Sequence, residues 1–282
     1  MRRSLKRKLT LAASIVVPLS GVAAGGMYAV GELAKPQMDA QTFCAPEADQ
    51  HNVAIFAEAS FGHVASDRQK HDLEAAILKA YADAPANARF SFFTTAAGRD
   101  GAIAESFRGG CKPAATPGEW SALGLAAKPP AYLKRQAKEA EATFNAHTDA
   151  FLNLANDPDL KAKDSPVLEQ LAAISKVRFA GGLDRLIVYS DGMQNTELAR
   201  FCSHKGHMPA YAKFARDNPR FAAFTPESLQ GVQVELLLVE HGPLPNTMFP
   251  YCTTVELRTW WADYFAAHGA DMRLTPLRTG AQ

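Results

Sequence analysis

Ten residues, Leu186-Ile-Val-Tyr-Ser-Asp-Gly-Met-Gln-Asn195, constrain this chain more than any others. Leu186 to Tyr189 is a short apolar run, β-branched and aromatic, bounded by turn residues. That is the pattern of a strand covered on both faces, and such strands belong to largely parallel sheets with helices packed on either side. The run ends at Ser190-Asp191-Gly192. An acid at the carboxyl end of a buried parallel strand stands at the crevice where open α/β sheets bind ligands, and Gly192 lets the backbone turn sharply there. The same three residues also suit an ordinary strand-to-loop turn, so function has to be argued from the rest of the chain.

Strand and helix patterns alternate along that rest. Val53 to Ala57 reads as a first apolar strand, and Ser66 to Asp83 as a helix with Leu73, Ala76, Ile77, Ala80 and Tyr81 on one face. Ser66 and Gln69 have the spacing of a capping box. Arg89 to Thr95 and Ile103 to Arg108 read as two strands whose short connection makes them antiparallel. Residues 109 to 130 are rich in Gly and Pro, and a long amphipathic helix is expected from Ala131 to Asn156, with a stripe of Leu133, Ala137, Ala140, Phe144, Phe151 and Leu154. The stretch 109–164 thus reads as an insertion on the sheet framework. A shorter helix is expected from Ser165-Pro166, with Ser165 as N-cap, to about Ser175. Beyond the Leu186 strand come a short helix near Pro209 to Asp217, the hydrophobic strand Val232 to Val239, and a helix Thr253 to His268 opened by a Thr253/Glu256 capping box. That last helix carries Leu257, Trp260, Trp261, Tyr264 and Phe265 on one face, and the tryptophans read as core. Met272 to Leu274 reads as a last edge strand. The fold class is α/β: a doubly wound, mostly parallel sheet with helices on both faces.

At the N-terminus, Arg2, Arg3, Lys6, Arg7 and Lys8 precede an uncharged stretch from Leu9 to Gly31. A basic flank before an apolar run directs export and stays cytoplasmic. A cleaved signal peptide would end near Val22-Ala23-Ala24, near residue 24. An uncleaved anchor would use the whole run, which has about the length a bilayer core requires; its continuation through Met27, Tyr28, Ala29 and Val30 favours the anchor. The expected organisation is an anchor over 1–31, a linker over 32–51 containing Pro36 and Pro46, and a globular domain over 52–282. Net charge is +1 and no other dense basic cluster exists, so nucleic acid is not an expected partner.

Cys44, Cys111, Cys202 and Cys252 follow the export segment, and an even count in an exported domain reads as two disulfides. Their wide, irregular spacings argue against a zinc finger. Cys202-Ser-His-Lys-Gly-His207 brings a thiol and two imidazoles together, but no second ligand cluster completes a metal site. There is no Gly-x-Ser-x-Gly, phosphate loop or His-Glu-x-x-His, so enzymatic activity is left undecided, with the balance toward none.

This order of elements resembles a von Willebrand factor A-type domain. More narrowly it is similar to bacterial envelope proteins of that type, through Cys111 after the third strand, Ser165-Pro166 before the central helix, and Ser190-Asp191 with Gln194-Asn195. The similarity spans roughly residues 50 to 275. The resemblance implies a metal-ion-dependent adhesion site on top of the sheet, built from Asp-x-Ser-x-Ser, a loop Thr and an Asp ending the fourth strand. Asp191 matches that last acid, and Ser165 stands where the Thr would be. The first element is degenerate: one register reads Glu58-x-Ser60-x-Gly62, the other puts Ala57 at the acid. In the first, Glu58, Ser60, Ser165 and Asp191 are the ligand set for Mg²⁺ or Mn²⁺, since such ions take oxygen donors and water. Strand directions in such a fold put Cys44 and Cys111 at one end of the sheet and Cys202 and Cys252 at the other, so those are the expected pairs. The implied function is a binding module tethered to the inner membrane by a single span, facing the periplasm and engaging a protein partner of the envelope. The alternatives are a metal-dependent hydrolase using the same crevice, a structural subunit of an envelope assembly, and, for localisation, release into the periplasm after cleavage.

Overall fold

The computed structural model describes residues 36–58, 65–95, 103–157, 164–202, 208–226, 229–240 and 252–279. The expected anchor, Ser60 and the imidazoles of His204 and His207 lie outside these residues. No described helix is long and apolar enough to cross a membrane.

Six strands form one sheet in the order β3-β2-β1-β4-β5-β6. They are β1 His51–Ala57, β2 Ala88–Thr95, β3 Ile103–Cys111, β4 Arg185–Ser190, β5 Gln233–Val239 and β6 Asp271–Leu277. All neighbours are parallel except β2 and β3. The chain builds outward from β1 through β2 to β3. It then returns to β1's other side and builds outward again through β4, β5 and β6. The direction of winding therefore reverses between β1 and β4, and that reversal opens a crevice above the carboxyl ends of the strands.

Alternation along the strands sends side chains into two separate cores. Val53, Ile55, Ile187 and Tyr189 pack with Leu73 and Ile77 of α1 (Asp67–Asp83). Phe144 and Phe151 of α3 (Pro130–Ala155) complete that layer. Ala54, Phe56, Leu186 and Val188 face the opposite way, toward α4 (Val167–Ser175) and α6 (Thr254–Ala267). The short helix α5 (Tyr211–Asp217) and a 3₁₀ turn over Pro219–Phe224 cover the outside of α6. Both capping boxes expected from sequence form, at Ser66/Gln69 and Thr253/Glu256.

Several elements differ from the sequence reading. β3 continues three residues past Arg108 into the Gly-rich stretch. A bulge brings the two backbones so close that a Cβ on Gly109 would lie 2.3 Å from the Phe90 carbonyl oxygen, which is why glycine stands in mid-strand. The stretch read as irregular also holds a short helix, α2 (Pro117–Ala122), with its own Thr116/Glu119 capping box. The buried stripe of α3 runs through Gln136, Thr148 and Ala155 rather than Ala137 and Leu154, so polar residues enter it. β6 is seven residues long; Pro276 is compatible with it because the strand lies at the sheet edge.

Residues 36–50 are bolted to the lower end of the sheet. Ala45 packs with Ala114, Trp120, Leu125 and Leu133 in a small third core. Cys44 is disulfide-bonded to Cys111, Cα to Cα 4.8 Å, and the Cys111 N–H donates to Thr42 O at 2.6 Å. Asn87, 1% exposed with φ +66°, accepts from Ala45 N–H at 2.8 Å. Its amide donates back to Ala45 O and Asp49 O at 3.1 and 3.0 Å. Asn is among the few side chains that tolerate the left-handed region. Replacing Asn87 with Ala is expected to cost about 2–4 kcal/mol, from the left-handed penalty together with a buried N–H left unpaired. Urea unfolding of Asn87→Ala beside Asn87→Gly separates the two contributions. Equal stability of Asn87→Ala and the parent chain would show that the clamp contributes nothing.

Candidate functional site

The parallel strands end together, and their last residues build a polar layer under the loops. β1 runs directly into Glu58, whose N–H donates to Tyr189 O of β4 at 3.0 Å. That bond extends the β1–β4 ladder by one residue and turns the Glu58 side chain inward, where it is 0% exposed. Its two carboxylate oxygens accept from two serines: Ser165 Oγ at 3.1 Å and Ser190 Oγ at 3.2 Å. Ser190 Oγ in turn accepts from the Gly192 N–H at 2.9 Å. Ser165 Oγ also lies 2.5 Å from Met193 O, so one hydroxyl proton serves two acceptors and the carbonyl is the nearer.

Asp191 stands one residue beyond Ser190. Its Oδ1 accepts from Met193 N–H at 2.9 Å, a turn in which the acid's own side chain organises the loop. Gly192 sits at φ +71°, and a Cβ there would meet Leu238 Cδ1 at 2.8 Å. Trp261 Nε1 donates to the Gly192 carbonyl at 3.1 Å. The loop after β4 is therefore locked from both sides. Ser165, Glu58, Ser190 and Met193 form one hydrogen-bonded chain, and Asp191 is joined to it through Met193.

On the β5 side, a cleft of about 240 Å³ opens beside Asp191, lined also by Met193, Leu238, Glu240, Cys252 and Leu257. Glu240 Oε1 accepts from Thr254 Oγ1 at 2.8 Å. Cys252 is bonded to Cys202, Cα to Cα 5.3 Å, so a disulfide forms part of the wall. Both disulfides have the pairing expected from strand direction.

Of the four residues singled out from sequence, Glu58, Ser165 and Asp191 come to the same end of the sheet; Ser60 lies outside the described residues. Ser165 does not cap the following helix as expected. The N-cap position is Pro166, and Ser165 is drawn instead into a bridge with Asn195, its hydroxyl turned to Glu58. The vacated role passes to Gln194, 0% exposed, whose amide oxygen accepts from Leu168 N–H at 2.9 Å. Its amide nitrogen donates to Glu169 and to Thr196, both at 2.8 Å. The Gln-Asn half of the Ser-Asp-x-x-Gln-Asn element thus holds α4 in place. Ser190 stood out in sequence only as part of the Ser-Asp-Gly turn, without its bond to Glu58, and Glu169 and Glu240 were not legible as site residues, because each looks like an ordinary polar residue at the end of an element.

The donors around Glu58 are hard oxygens, the chemistry that suits Mg²⁺ or Mn²⁺ and not a thiolate-seeking metal. Among the described residues no group of three or more His, Cys, Asp or Glu could hold a metal ion. Hydroxyls and water would have to complete any coordination shell here, as Mg²⁺ commonly accepts.

No family model matches the chain, and no curated protein matches it. Among solved structures it is similar to the conserved hypothetical protein BatB from Bacteroides thetaiotaomicron, at 14% identity and TM-score 0.36, over 82% of this chain and 91% of that one. It is also similar to an aerotolerance-related membrane protein from Bacteroides fragilis NCTC 9343 carrying multiple mutations to serines, at 13% identity and TM-score 0.32, over 80% and 92% of the two chains.

Proposed function

We propose that this protein is a membrane-tethered, extracytoplasmic binding module of the von Willebrand A type, engaging a protein partner of the bacterial envelope through the upper end of its sheet. The observation that carries this reading is the buried Glu58, held by Ser165 and Ser190 and linked through Met193 to Asp191, where the winding of the sheet reverses. Two disulfides agree with a domain that matures outside the cytoplasm. The basic flank and uncharged run before residue 32 supply the tether. Glu58, Ser165 and Asp191, with Ser60, would hold a Mg²⁺ or Mn²⁺ ion, which when bound would offer an open position to a partner's oxygen ligand.

Asp191→Ala removes a carboxylate that is 9% exposed and accepts from Met193 N–H at the end of β4, outside the two hydrophobic cores, so it is expected to cost about 1–3 kcal/mol and to leave the sheet folded. Partner binding is expected to fall by about tenfold or more, the equivalent of about 1.4 kcal/mol. The measurement is co-purification from membranes with tagged full-length protein, parent and variant, with and without EDTA. If Glu58 also coordinates an ion, EDTA weakens capture and Mg²⁺ or Mn²⁺ restores it. Capture indifferent to both EDTA and Asp191→Ala sinks the reading. Turnover of small esters or phosphates that is lost in the variant would replace it with the hydrolase alternative.

A further inference from the structure

The two ends of the sheet have different tasks, and the greatest reach of the connection between tether and domain decides which end can meet the bilayer. The uncharged run ends at Gly31, and the chain is fastened to the base of the sheet from Met38 onward: Met38 packs against the third core, Thr42 O accepts from Cys111 N–H, and Cys44 is bonded to Cys111. Residues 32–38, however arranged, reach at most about 25 Å. A globule of residues 52–282 is roughly 45 Å across. Even fully extended, this connection is shorter than the body it holds, so the domain cannot turn over to lay its upper end on the membrane. Without the Cys44–Cys111 bond and the Asn87 contacts, the free chain would extend to residue 50 and reach about 65 Å, which exceeds the body.

We propose that the stapled segment 36–50 is an orientation lock. It keeps the base of the sheet toward the bilayer and presents the Glu58–Asp191 end to the aqueous side, so that this end takes a protein and not a lipid surface. The inference rests on the anchor reading given above. Val255, 71% exposed in the first turn of α6 beside the cleft, is an apolar contact available at that outer end. The opposite end is marked by Arg178, exposed in the loop between α4 and β4 that Asn52 ties to β1 through Ala180 O and Gly182 O.

The test uses the full-length chain in vesicles of phosphatidylethanolamine and phosphatidylglycerol containing lipids with nitroxide headgroups. A maleimide fluorophore is placed on Val255→Cys or on Arg178→Cys, with the native disulfides verified by non-reducing peptide mapping. The Arg178→Cys probe is expected to be quenched and the Val255→Cys probe to keep its emission. Inserting about twenty flexible Gly/Ser residues before Pro36 leaves the disulfide intact but lengthens the free chain, and the Val255→Cys probe should then become quenched. Equal quenching of both probes in the parent tether overturns the lock, as does an insertion that changes nothing. A chain that fails to float with the vesicles after alkaline carbonate overturns the anchor and the lock together, which separates that failure from the others.

Discussion

Trp261→Ala is expected to lower stability by about 3–5 kcal/mol, the range for truncating a large buried aromatic. The indole is 1% exposed and meets Trp260, Tyr264, Phe265 and Phe201 at ring separations of 5.1 to 6.2 Å. Its removal opens a void where β4, β5 and α6 converge, and interiors this closely packed relax into voids only in part. It also strands the Gly192 carbonyl, to which Nε1 donates at 3.1 Å. Trp261→Phe keeps most of the ring and loses only the N–H, so it is expected to cost about 1–3 kcal/mol, the range for an orphaned buried polar group. The consequences differ as well. The loop after β4 is held by Gly192 and Asp191, so Trp261→Phe should impair partner capture while the sheet stays folded. Urea unfolding followed by far-ultraviolet circular dichroism gives both stabilities. A loss below 1 kcal/mol for Trp261→Ala would mean that this aromatic cluster is not the core described above.

The second large effect is expected from Cys44→Ser combined with Cys111→Ser. The bond closes a loop of 67 residues, for which the chain-entropy account gives about 4 kcal/mol. Removing it also loosens the attachment of residues 36–50, because Thr42 O and Cys111 N–H then keep their hydrogen bond without a covalent neighbour. The Cys202–Cys252 bond closes a similar loop of 50 residues, so the paired change Cys202→Ser with Cys252→Ser should cost about as much. The two variants should part in function. Loss of the lower bond frees the base and leaves the cleft wall in place, whereas loss of the upper bond removes a wall residue beside Asp191. Partner capture by detergent-solubilised protein, where no bilayer orients the domain, should fall in the second variant and persist in the first, measured at a temperature where both remain folded. The reverse pattern would move the interaction surface to the base.

Much of the fold was legible because it rests on local, periodic signals. The apolar run Leu186–Tyr189 had to be a doubly covered strand, and Thr253 with Glu256 had to open a helix. Leu257, Trp260, Trp261, Tyr264 and Phe265 had to share a buried face, because a repeat of 3.6 residues admits no other common side. Even the cysteine pairing followed once each strand had a direction, since direction decides which loops share an end of the sheet.

Ser165 shows where that reasoning stops. Read locally, Ser-Pro is a helix cap followed by a first helical residue. In the folded chain Glu58, 107 residues earlier in sequence, is buried beside it and competes for the same hydroxyl. A buried carboxylate is costly to leave without donors, so the serine turns inward to it and to the nearer Met193 carbonyl, and Gln194 takes over the end of the helix. Gly109 and Asn87 follow the same logic: which residue fits at each is dictated by the Phe90 backbone and by residues 45–49, distant in sequence and adjacent in space. Sequence by itself determined most of the elements and their buried faces, because these depend on neighbours a few residues away. Tertiary structure alone decided which polar groups meet at the top of the sheet and that residues 36–50 are fastened to its base, because those energies arise only when distant parts of the chain exclude water from each other.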